Sequence, residues 1–350
     1  MSPSWIRRPS APLDPEAEAQ ALARQSRLTK PPGSLGRLEE LAVWLAARQG
    51  RALPRVETPW ITIFAADHGV ARHGVSAFPV EVTGQMVANF AGGGAAICVL
   101  ARELGAALEV VDVGTLLEEH PPGVVVDRVA RASSDMLAGP ALDAAHLDHA
   151  LEAGRRAVER ARDAGADLLV FGEMGIANTT AATAVGAALT GIAPAELTGP
   201  GTGLDRDGVA RKADVVARAL EHHGLGTASD PLDVLACVGG HELAALTGAY
   251  LSAAEFGLPI VLDGFIGTAS ALAAQRVRPD AASWMLCSHA SAEPGHGAYV
   301  AALGQTPALA LGMRLGEASG AATLVALLRL ACALHGSMST FEQAGVADGS

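Results

Sequence analysis

Short apolar runs alternate with alanine-rich stretches over the middle of the chain, from about residue 61 to residue 290. Runs that are apolar at every position are typical of strands buried on both faces, as in parallel sheets covered by helices. Right-handed crossovers place the C-terminal ends of such strands at one edge of the sheet, where ligands bind. The pattern therefore predicts an α/β fold with a parallel sheet flanked by helices, whose strands lie in the runs ITIFAADHG, LEVVDVGT, DLLVFGEMG, PIVLDGFIG and SWMLCSHAS.

The two ends of the chain differ from this pattern. Residues 16–27 and 34–48 show helical spacing with no strand between them. The stretch from Gly316 onward also has helical spacing. We predict that the two ends pack together beside the sheet. The chain then divides into a small helical subdomain, residues 1–60 plus 316–350, and a large parallel α/β domain that carries the active site, residues 61–315.

Composition and charge argue against several classes of function. The chain of 350 residues has a net charge of -12, whereas binding to a nucleic acid backbone needs a clustered basic surface. Residues 1–13 lack the apolar core of a signal peptide. The apolar stretch 321–334 is interrupted by Arg329 and is shorter than the ~20 residues that span a bilayer. We therefore expect a buried helix there, with no nucleic acid partner and no membrane association.

The cysteines and histidines carry little sign of metal or redox chemistry. The four cysteines match no CxxC spacing and indicate reduced core thiols in a cytoplasmic protein. Asp67 and His68 suggest a metal site, but the other histidines show no HxxxH or HxH spacing that would complete it. We expect neither a metal nor a cofactor.

Polar and glycine-rich clusters follow four of the predicted strands, and these clusters together predict a pocket at the sheet edge. The segment GEMGIANTTAATAV runs directly from a strand into a helix. Amides near Gly175 and Ile176 and the hydroxyls of Thr179 and Thr180 could there hold a phosphate at a helix N-terminus. An ordinary helix cap remains the alternative. The clusters are Asp67-His68-Gly69, Glu173-Met174-Gly175 with Asn178-Thr179-Thr180, Asp263-Gly264-Phe265 and Ser288-His289-Ala290-Ser291.

A second glycine cluster, GPGTGLD at 199–205, precedes a helix that contains Arg211 and Lys212. Its amides and the lysine charge suit an anion. The cluster lacks both the GK[ST] ending of a P-loop and the GxGxxG fingerprint, so nucleoside triphosphates and dinucleotides have no motif here. Taken alone, Lys212 is better interpreted as a solvated helix residue.

Two glutamates are candidates for acid–base chemistry. Glu317 has small neighbours and precedes an apolar helix that would desolvate its carboxylate and raise its basicity. An acid interacting with the helix dipole is the alternative. Glu173, at a strand end, could act as an acid or base or could orient ribose hydroxyls. The loop that holds Ser76 and Phe78, followed by Gln85-Met86, suits one wall of a pocket for a flat heterocycle, or is a plain transition from loop to core.

These segments together resemble the nicotinate-nucleotide–dimethylbenzimidazole phosphoribosyltransferase family, which assembles the lower loop of cobalamin. The resemblance covers nearly the whole chain and depends on the order and spacing of its motifs. The motifs are LTKPPGSLGRLEELA (28–42), FAADHGVARHGVSAFPVEVTGQMV (64–87), FGEMGIANTTAATA (171–184), GPGTGLD (199–205), LDGFIGTAS (262–270), SHASAEPGH (288–296) and LGMRLGEASGAA (311–322).

The resemblance implies a homodimer of subunits with a Rossmann-like domain and a small helical domain. It implies that a phosphoribosyl group passes from nicotinate mononucleotide to 5,6-dimethylbenzimidazole or a related base, with inversion at C1′, to give α-ribazole 5′-phosphate and nicotinate. Glu317 is then the general base, and Lys212 contacts the phosphate from the neighbouring subunit. The residues placed around the base are Ser76, Phe78, Gln85, Met86 and Leu315, and those around ribose and phosphate are Glu173, Gly175, Ile176, Asn178, Thr179, Asp263, Gly264 and Ser291.

The sequence departs from the family pattern at a few small positions. Ala177 stands for a glycine, Pro200 for an arginine and Gly267 for a serine, and Ala318-Ser319 stands for Gly-Thr. None of these changes removes a proposed catalytic group. With no arginine at position 200, we expect that anion binding shifts to Lys212 or Arg211.

Three other functions compete with this interpretation. The run VVDVGT at 110–115 faintly resembles the ribose-phosphate loop of diphosphate-dependent phosphoribosyltransferases, but it lacks their paired acids. Such an enzyme would use phosphoribosyl diphosphate and magnesium. A nucleotide or benzimidazole sensor would bind ligand without releasing nicotinate. A metal hydrolase built on Asp67 and His68 would lose activity to chelators.

Overall fold

One sheet of six parallel strands lies at the centre of the computed structural model, which describes residues 3–347. The strands are β1 (Pro59–Ala66), β2 (Ala107–Gly114), β3 (Val124–Val126), β4 (Leu168–Met174), β5 (Ile260–Leu262) and β6 (Met285–Cys287). Their order across the sheet is β3-β2-β1-β4-β5-β6, which is the Rossmann order. The predicted Rossmann-like α/β fold is confirmed.

Five of the strands lie in the five apolar runs that predict them. The sixth, β3, is not predicted. It has three residues, pairs only with β2 and lies at the sheet edge, where its valines stay partly or fully exposed. A strand of this length carries too few positions for a periodic signal.

Helices cover both faces of the sheet and connect its strands. Their bounds are α1 (Pro15–Gln25), α2 (Arg37–Gln49), α3 (Glu81–Ala91), α4 (Ala96–Leu104), α5 (Ala144–Asp163), α6 (Asn178–Thr190), α7 (Pro194–Leu197), α8 (Arg206–His223), α9 (Pro231–Val238), α10 (His241–Phe256), α11 (Phe265–Val277), α12 (His296–Ala302), α13 (Ser319–Ser337) and α14 (Phe341–Ala344). Short 3-10 helices span Ser4–Arg7, Gly69–His73 and Pro279–Trp284.

The sheet separates two hydrophobic cores, and β1 contributes alternate residues to each. Ile61 and Ile63 pack in the core that contains α2, α4 and α13. Phe64 points to the opposite face and packs in the core built by α5, α6, α10 and α11. Because every one of these side chains is fully buried, β1 reads as a continuous apolar run, as expected for a strand covered on both faces.

The two ends of the chain meet at α2 and α13, which pack against each other. Helix α13 also packs on β4 and β5, so it belongs to a core that includes strands of the sheet. The division into a small helical subdomain and a large domain stays a prediction. By length and composition alone, Ser319–Ser337 and Glu81–Leu104 could cross a membrane, but half of the most apolar window of the former is buried inside the protein.

Helices α5 and α10 approach each other closely, because each has a glycine where the two backbones meet. A Cβ on Gly154 of α5 would overlap the carbonyl oxygen of Ala245, and a Cβ on Gly248 of α10 would overlap that of Leu151. Helix α10 is buried all round from His241 to Ala254. This pair therefore anchors one layer of helices to the sheet.

Replacing Gly154 by alanine is expected to destabilise the fold by about 2 kcal/mol or more, because the new methyl group has no space beside the α10 backbone. The matched control is Gly336→Ala in α13, where a Cβ would meet nothing within 4 Å. That change should leave stability unchanged or raise it by up to ~1 kcal/mol. Urea unfolding followed by circular dichroism measures both. Equal midpoints would contradict the close approach of the helices.

Candidate active site

A cavity of about 280 Å³ opens at the C-terminal ends of β4, β5 and β6. The sheet contributes one wall, and the loops that follow β4, β5 and β6, the 199–203 loop and the segment before α13 contribute the others. The lining residues are Phe78, Phe171, Gly172, Glu173, Met174, Gly175, Ile176, Asn178, Thr179, Gly201, Thr202, Asp263, Gly264, Phe265, Ile266, Gly267, His289, Ser291, Glu293, Arg314, Leu315, Gly316 and Glu317. The site therefore lies at the edge that a parallel sheet predicts.

Most of the residues proposed from the sequence line this one cavity. They are Phe78, Glu173, Gly175, Ile176, Asn178, Thr179, Asp263, Gly264, Ser291, Leu315 and Glu317. Ser76 does not line it, but its hydroxyl lies 3.0 Å from that of Thr202, which does. Gln85 is exposed on α3 and Met86 is half-buried there, and neither borders the cavity.

Lys212 lies behind the cavity wall, completely buried, so the interpretation of it as a solvated helix residue is wrong. Its ammonium donates to Thr179 Oγ1 at 2.7 Å and to the Gly199 carbonyl at 3.3 Å. Burial lowers its pKa to about 8. Lys212 therefore contacts Thr179 in the cavity wall of its own chain. The resemblance implies instead that this lysine contacts the phosphate bound in the neighbouring subunit.

The turn between β4 and α6 differs from the anion cradle that its sequence suggests. The Ile176 N–H donates to the Thr83 hydroxyl at 3.1 Å, so it is not free for a ligand. Thr180 is buried and does not line the cavity. Thr179 lines the cavity and accepts a hydrogen bond from the Lys212 ammonium, so it is the polar residue of this turn that has a cation next to it.

Glu317 sits in a strained segment immediately before α13. Gly316, Glu317 and Ala318 all have positive φ angles, of 83°, 61° and 66°. Left-handed backbone is unfavourable for residues with a side chain and clusters at functional sites. A Cβ at Gly172 would overlap the backbone of Glu317 and Ala318, so this glycine of β4 lets the strained segment lie directly on the sheet.

Two of the departures from the family pattern fall on left-handed positions. Ala177 has φ 77° and Ala318 has φ 66°, and each stands where the family pattern has a glycine. Glycine adopts this region without steric cost, whereas alanine does not. The chain therefore carries local strain at both turns. Pro200 lies in the 199–203 loop but does not line the cavity.

Asp263, which follows β5, fixes the start of α13. Its carboxylate accepts a hydrogen bond from Ala321 N at 3.0 Å and further bonds from the amides of Gly264 and Ala318. With three backbone donors, the carboxylate is largely satisfied by the protein itself. It holds the segment that contains Glu317 against the end of β5.

The cavity brings three carboxyl groups close together, and all three resist ionisation. Burial raises the pKa of Glu173 to about 8, and the nearby carboxylates of Glu242, Asp263 and Glu317 add to the effect. Burial and then Asp263 raise the pKa of Glu317. Burial also raises the pKa of Asp263. Like charges in a desolvated site disfavour each other's ionisation, so Glu173 is largely protonated at pH 7.

The Glu317 carboxylate has one amide neighbour and one buried oxygen without a partner. The Ile97 amide, in the first turn of α4, donates to the carboxylate. Glu317 Oε2 is buried and has no hydrogen-bond partner among residues 3–347. A raised pKa and a buried, unpartnered oxygen in a residue that lines a cavity are properties of a general base.

The Asp67-His68-Gly69 cluster does not line the cavity, contrary to the prediction that four clusters form it. His68 Nε2 lies 2.5 Å from Glu242 Oε1, with both side chains fully buried. Asp67 accepts the Leu116 N–H at 2.8 Å. Within the described part of the chain, no group of three or more His, Cys, Asp or Glu side chains is arranged to hold a metal ion.

The VVDVGT run is also occupied by structural contacts. Asp112 accepts from the amides of Gly114 and Thr115 and lies 2.6 Å from His120 Nε2 and 3.1 Å from Arg128 Nη1. It lies outside the cavity. The feature that suggested a diphosphate-dependent enzyme is therefore a buried ion-pair network that secures the end of β2.

Sequence reasoning missed three polar residues of the site, Thr202, Glu293 and Arg314. Arg314 donates to the Gly201 carbonyl at 3.0 Å and supplies a cation at the mouth of the cavity. Thr202 and Glu293 stand within quoted motifs, GPGTGLD and SHASAEPGH, but nothing in their local sequence marks them as cavity residues.

The chain matches the family model described as "Phosphoribosyltransferase" over residues 10–346. It is 54% identical over 349 residues to a Pseudomonas putida protein named nicotinate-nucleotide–dimethylbenzimidazole phosphoribosyltransferase, and the match covers 99% of both chains. An Azotobacter vinelandii protein of the same name is 54% identical over 350 residues, with the same coverage.

The fold also matches a crystal structure of a Thermus thermophilus protein with that name. The TM-score is 0.90 at 46% sequence identity, over 96% of this chain and 100% of the other. Sequence and fold thus agree over almost the full length. The chain belongs to the nicotinate-nucleotide–dimethylbenzimidazole phosphoribosyltransferase family.

Proposed function

We propose that this protein transfers the 5-phosphoribosyl group of nicotinate mononucleotide to 5,6-dimethylbenzimidazole or a related base, forming α-ribazole 5′-phosphate and nicotinate for cobalamin assembly. The single observation that carries the proposal is Glu317, a partly desolvated carboxylate in a strained turn with one unpartnered oxygen. It lines a cavity that Thr179 also lines, and Thr179 accepts a hydrogen bond from the buried Lys212 ammonium. A base at one end and a phosphate subsite at the other suit this transfer.

The residue inventory fits the chemistry of the leaving group. Nicotinate in the mononucleotide is a pyridinium, so the electron pair of the C1′–N bond neutralises its ring when the bond breaks. It needs no proton from the protein, and the reaction calls for no cofactor. The incoming base does need help, because its second ring nitrogen must lose a proton as the first forms the new bond to C1′. Glu317 Oε2 accepts that proton.

Placement supplies the rest of the rate enhancement. Thr179, with the Lys212 ammonium behind it, holds the phosphate at one side, with Gly264 and Ser291 beside it, while Phe78 and Leu315 contact the base at the mouth of the cavity. Fixing both reactants on opposite sides of C1′ converts a bimolecular step into an effectively unimolecular one. Attack from the face opposite to nicotinate then inverts the configuration at C1′.

Two further features belong to the same proposal. Phe78 and Leu315 are 52% and 58% exposed in the single chain although they border the cavity. A second copy that covers them would complete the base site, which supports a homodimer. No cysteine in residues 3–347 is paired, and three of the four are buried, which supports a cytoplasmic enzyme.

The test of the proposed function is incubation of the purified protein with nicotinate mononucleotide and a panel of benzimidazoles, purines and phenols. We expect nicotinate release that depends on the base, and a product with the α configuration at C1′. Product identity is measured by mass spectrometry and NMR. Absence of release with every base would contradict the proposal, and activity only with phosphoribosyl diphosphate and magnesium would favour the rival chemistry.

Glu317→Gln is expected to lower kcat at least about 100-fold, because the amide keeps the shape of the side chain but accepts no proton. Binding of nicotinate mononucleotide, measured by calorimetry, should change by less than about threefold. Glu196→Gln, at an exposed position on α7, is the matched control and should behave as wild type. Near-normal turnover by the Glu317 variant would remove it as the base.

The activity should depend on pH through two groups. As pH falls, Glu317 becomes protonated at its raised pKa and kcat should fall with it. As pH rises through about 8, Lys212 loses its charge and the KM for nicotinate mononucleotide should rise. In Lys212→Gln, KM should be at least about 10-fold higher at pH 7 and should no longer rise with pH, since no charge is left to lose.

Steady-state kinetics between pH 5 and 9 measure both limbs of the profile. The acid limb should be unchanged in Lys212→Gln, since Glu317 is intact. Glu173 has a pKa of about 8 as well, so an alkaline rise of KM that persists in this variant would assign that limb to Glu173 and contradict the role given to Lys212.

A further inference from the structure

Glu293 is a cavity residue that the mechanism above does not use. It lies in the loop between β6 and α12, borders the cavity and is only 6% exposed. Both of its carboxylate oxygens are buried without a hydrogen-bond partner among the described residues. Buried carboxylates are normally paired or hydrogen-bonded, because they give up their hydration when they leave water. The Glu293 carboxylate therefore has no partner within the described chain, and a ligand in the cavity is the remaining source of one.

The surroundings of Glu293 leave space for this carboxylate. A Cβ on Gly199 would overlap Glu293 Oε2, so the glycine of the GPGTGLD loop allows the side chain to lie there. Lys212, on the other side of Gly199, is the cation that interacts with Glu293 through space. Its hydrogen bonds go to Thr179 and to the Gly199 carbonyl, and not to Glu293.

The chemistry of the nucleotide identifies the missing partner, on the basis of the proposed function. An unpartnered carboxylate gains from hydrogen-bond donors and is repelled by anions. The phosphate and the ring carboxylate of nicotinate mononucleotide are anionic acceptors. Only the two ribose hydroxyls donate. Two adjacent hydroxyls match the two oxygens of one carboxylate, and an acidic residue binds the ribose 2′-hydroxyl in dinucleotide-binding folds.

The other acids of the cavity are less suited to this task. Glu173 already accepts a hydrogen bond from the Asn178 amide. The Asp263 carboxylate is occupied by backbone amides. Glu317 keeps one free oxygen for the incoming base. Glu293 is the cavity acid with two free oxygens in residues 3–347.

We propose that Glu293 binds the 2′- and 3′-hydroxyls of the ribose and selects ribonucleotides over deoxyribonucleotides. The selection follows from burial, since a deoxy analogue leaves one oxygen of the carboxylate unpaired in a desolvated site. Glu293 is a binding residue in this scheme, so it acts before and during transfer and takes no proton.

The test is a thermodynamic cycle between ligand and protein. Affinities for nicotinate mononucleotide and its 2′-deoxy and 3′-deoxy analogues are measured by calorimetry with the wild-type protein, Glu293→Ala, Glu293→Gln and Glu173→Ala. Wild type should bind the deoxy analogues about 10- to 100-fold more weakly, as expected for a hydrogen bond to a charged group. In Glu293→Ala this difference should shrink to less than about threefold, and Glu293→Gln, which keeps one acceptor, should be intermediate.

Two outcomes would overturn the proposal. If the deoxy penalty persists in Glu293→Ala and disappears in Glu173→Ala, Glu173 holds the ribose. If Glu293→Ala weakens the three ligands and inorganic phosphate by the same factor, Glu293 acts only through Lys212. Nicotinate release by wild type is measured in parallel. Binding without release would contradict the proposed function and still leave the cycle to decide on Glu293.

Discussion

The Asp263 carboxylate makes the contact on which the active site depends. It stands at the end of β5 and accepts hydrogen bonds from the amides of Gly264, Ala318 and Ala321. These bonds hold the first turn of α13 on the sheet, while Gly172 gives the preceding segment space to lie directly on β4. The backbone strain at Glu317 and Ala318 persists because this anchoring over-determines the turn. The same turn aims the Glu317 carboxylate into the cavity.

A second constraint is electrostatic. Four buried acids, Glu173, Asp263, Glu293 and Glu317, border one small cavity. Burial raises the pKa of Glu173, Asp263 and Glu317, so the acids of the site differ in environment. Asp263 is satisfied by backbone amides, and Glu173 holds a proton because burial and neighbouring carboxylates raise its pKa to about 8. Glu317 and Glu293 retain free oxygens for a ligand. Asp263 thereby anchors the turn, whereas Glu317 is the proposed base and Glu293 the proposed ribose ligand.

The sequence alone predicts much of the fold and part of the site, and the failures have identifiable causes. Long apolar runs predict five strands, whereas β3 has three residues at an edge and gives no periodic signal. Lys212 has the sequence context of a solvated helix residue, yet it is completely buried. Its ammonium contacts the Gly199 carbonyl and Thr179, which lies 33 positions earlier in the chain. Ile176 has the sequence context of an anion-binding amide, yet its N–H donates a hydrogen bond to the hydroxyl of Thr83, 93 positions away.

What the sequence by itself determined is what local pattern can encode: a parallel α/β sheet, the strand ends where a ligand binds, and the motif set that identifies the family. Strand ends are predictable because hydrophobic periodicity and glycine placement act over a few residues. Only the tertiary structure decided which of those polar groups are free. Asp67, His68 and Asp112 look as reactive in sequence as Glu293 and Glu317, but they lie outside the cavity, where Asp67 accepts the Leu116 N–H, His68 lies against Glu242 and Asp112 lies against His120. Hydrogen-bond satisfaction depends on long-range packing, and that distinction separates the structural acids of this protein from those that can meet a substrate.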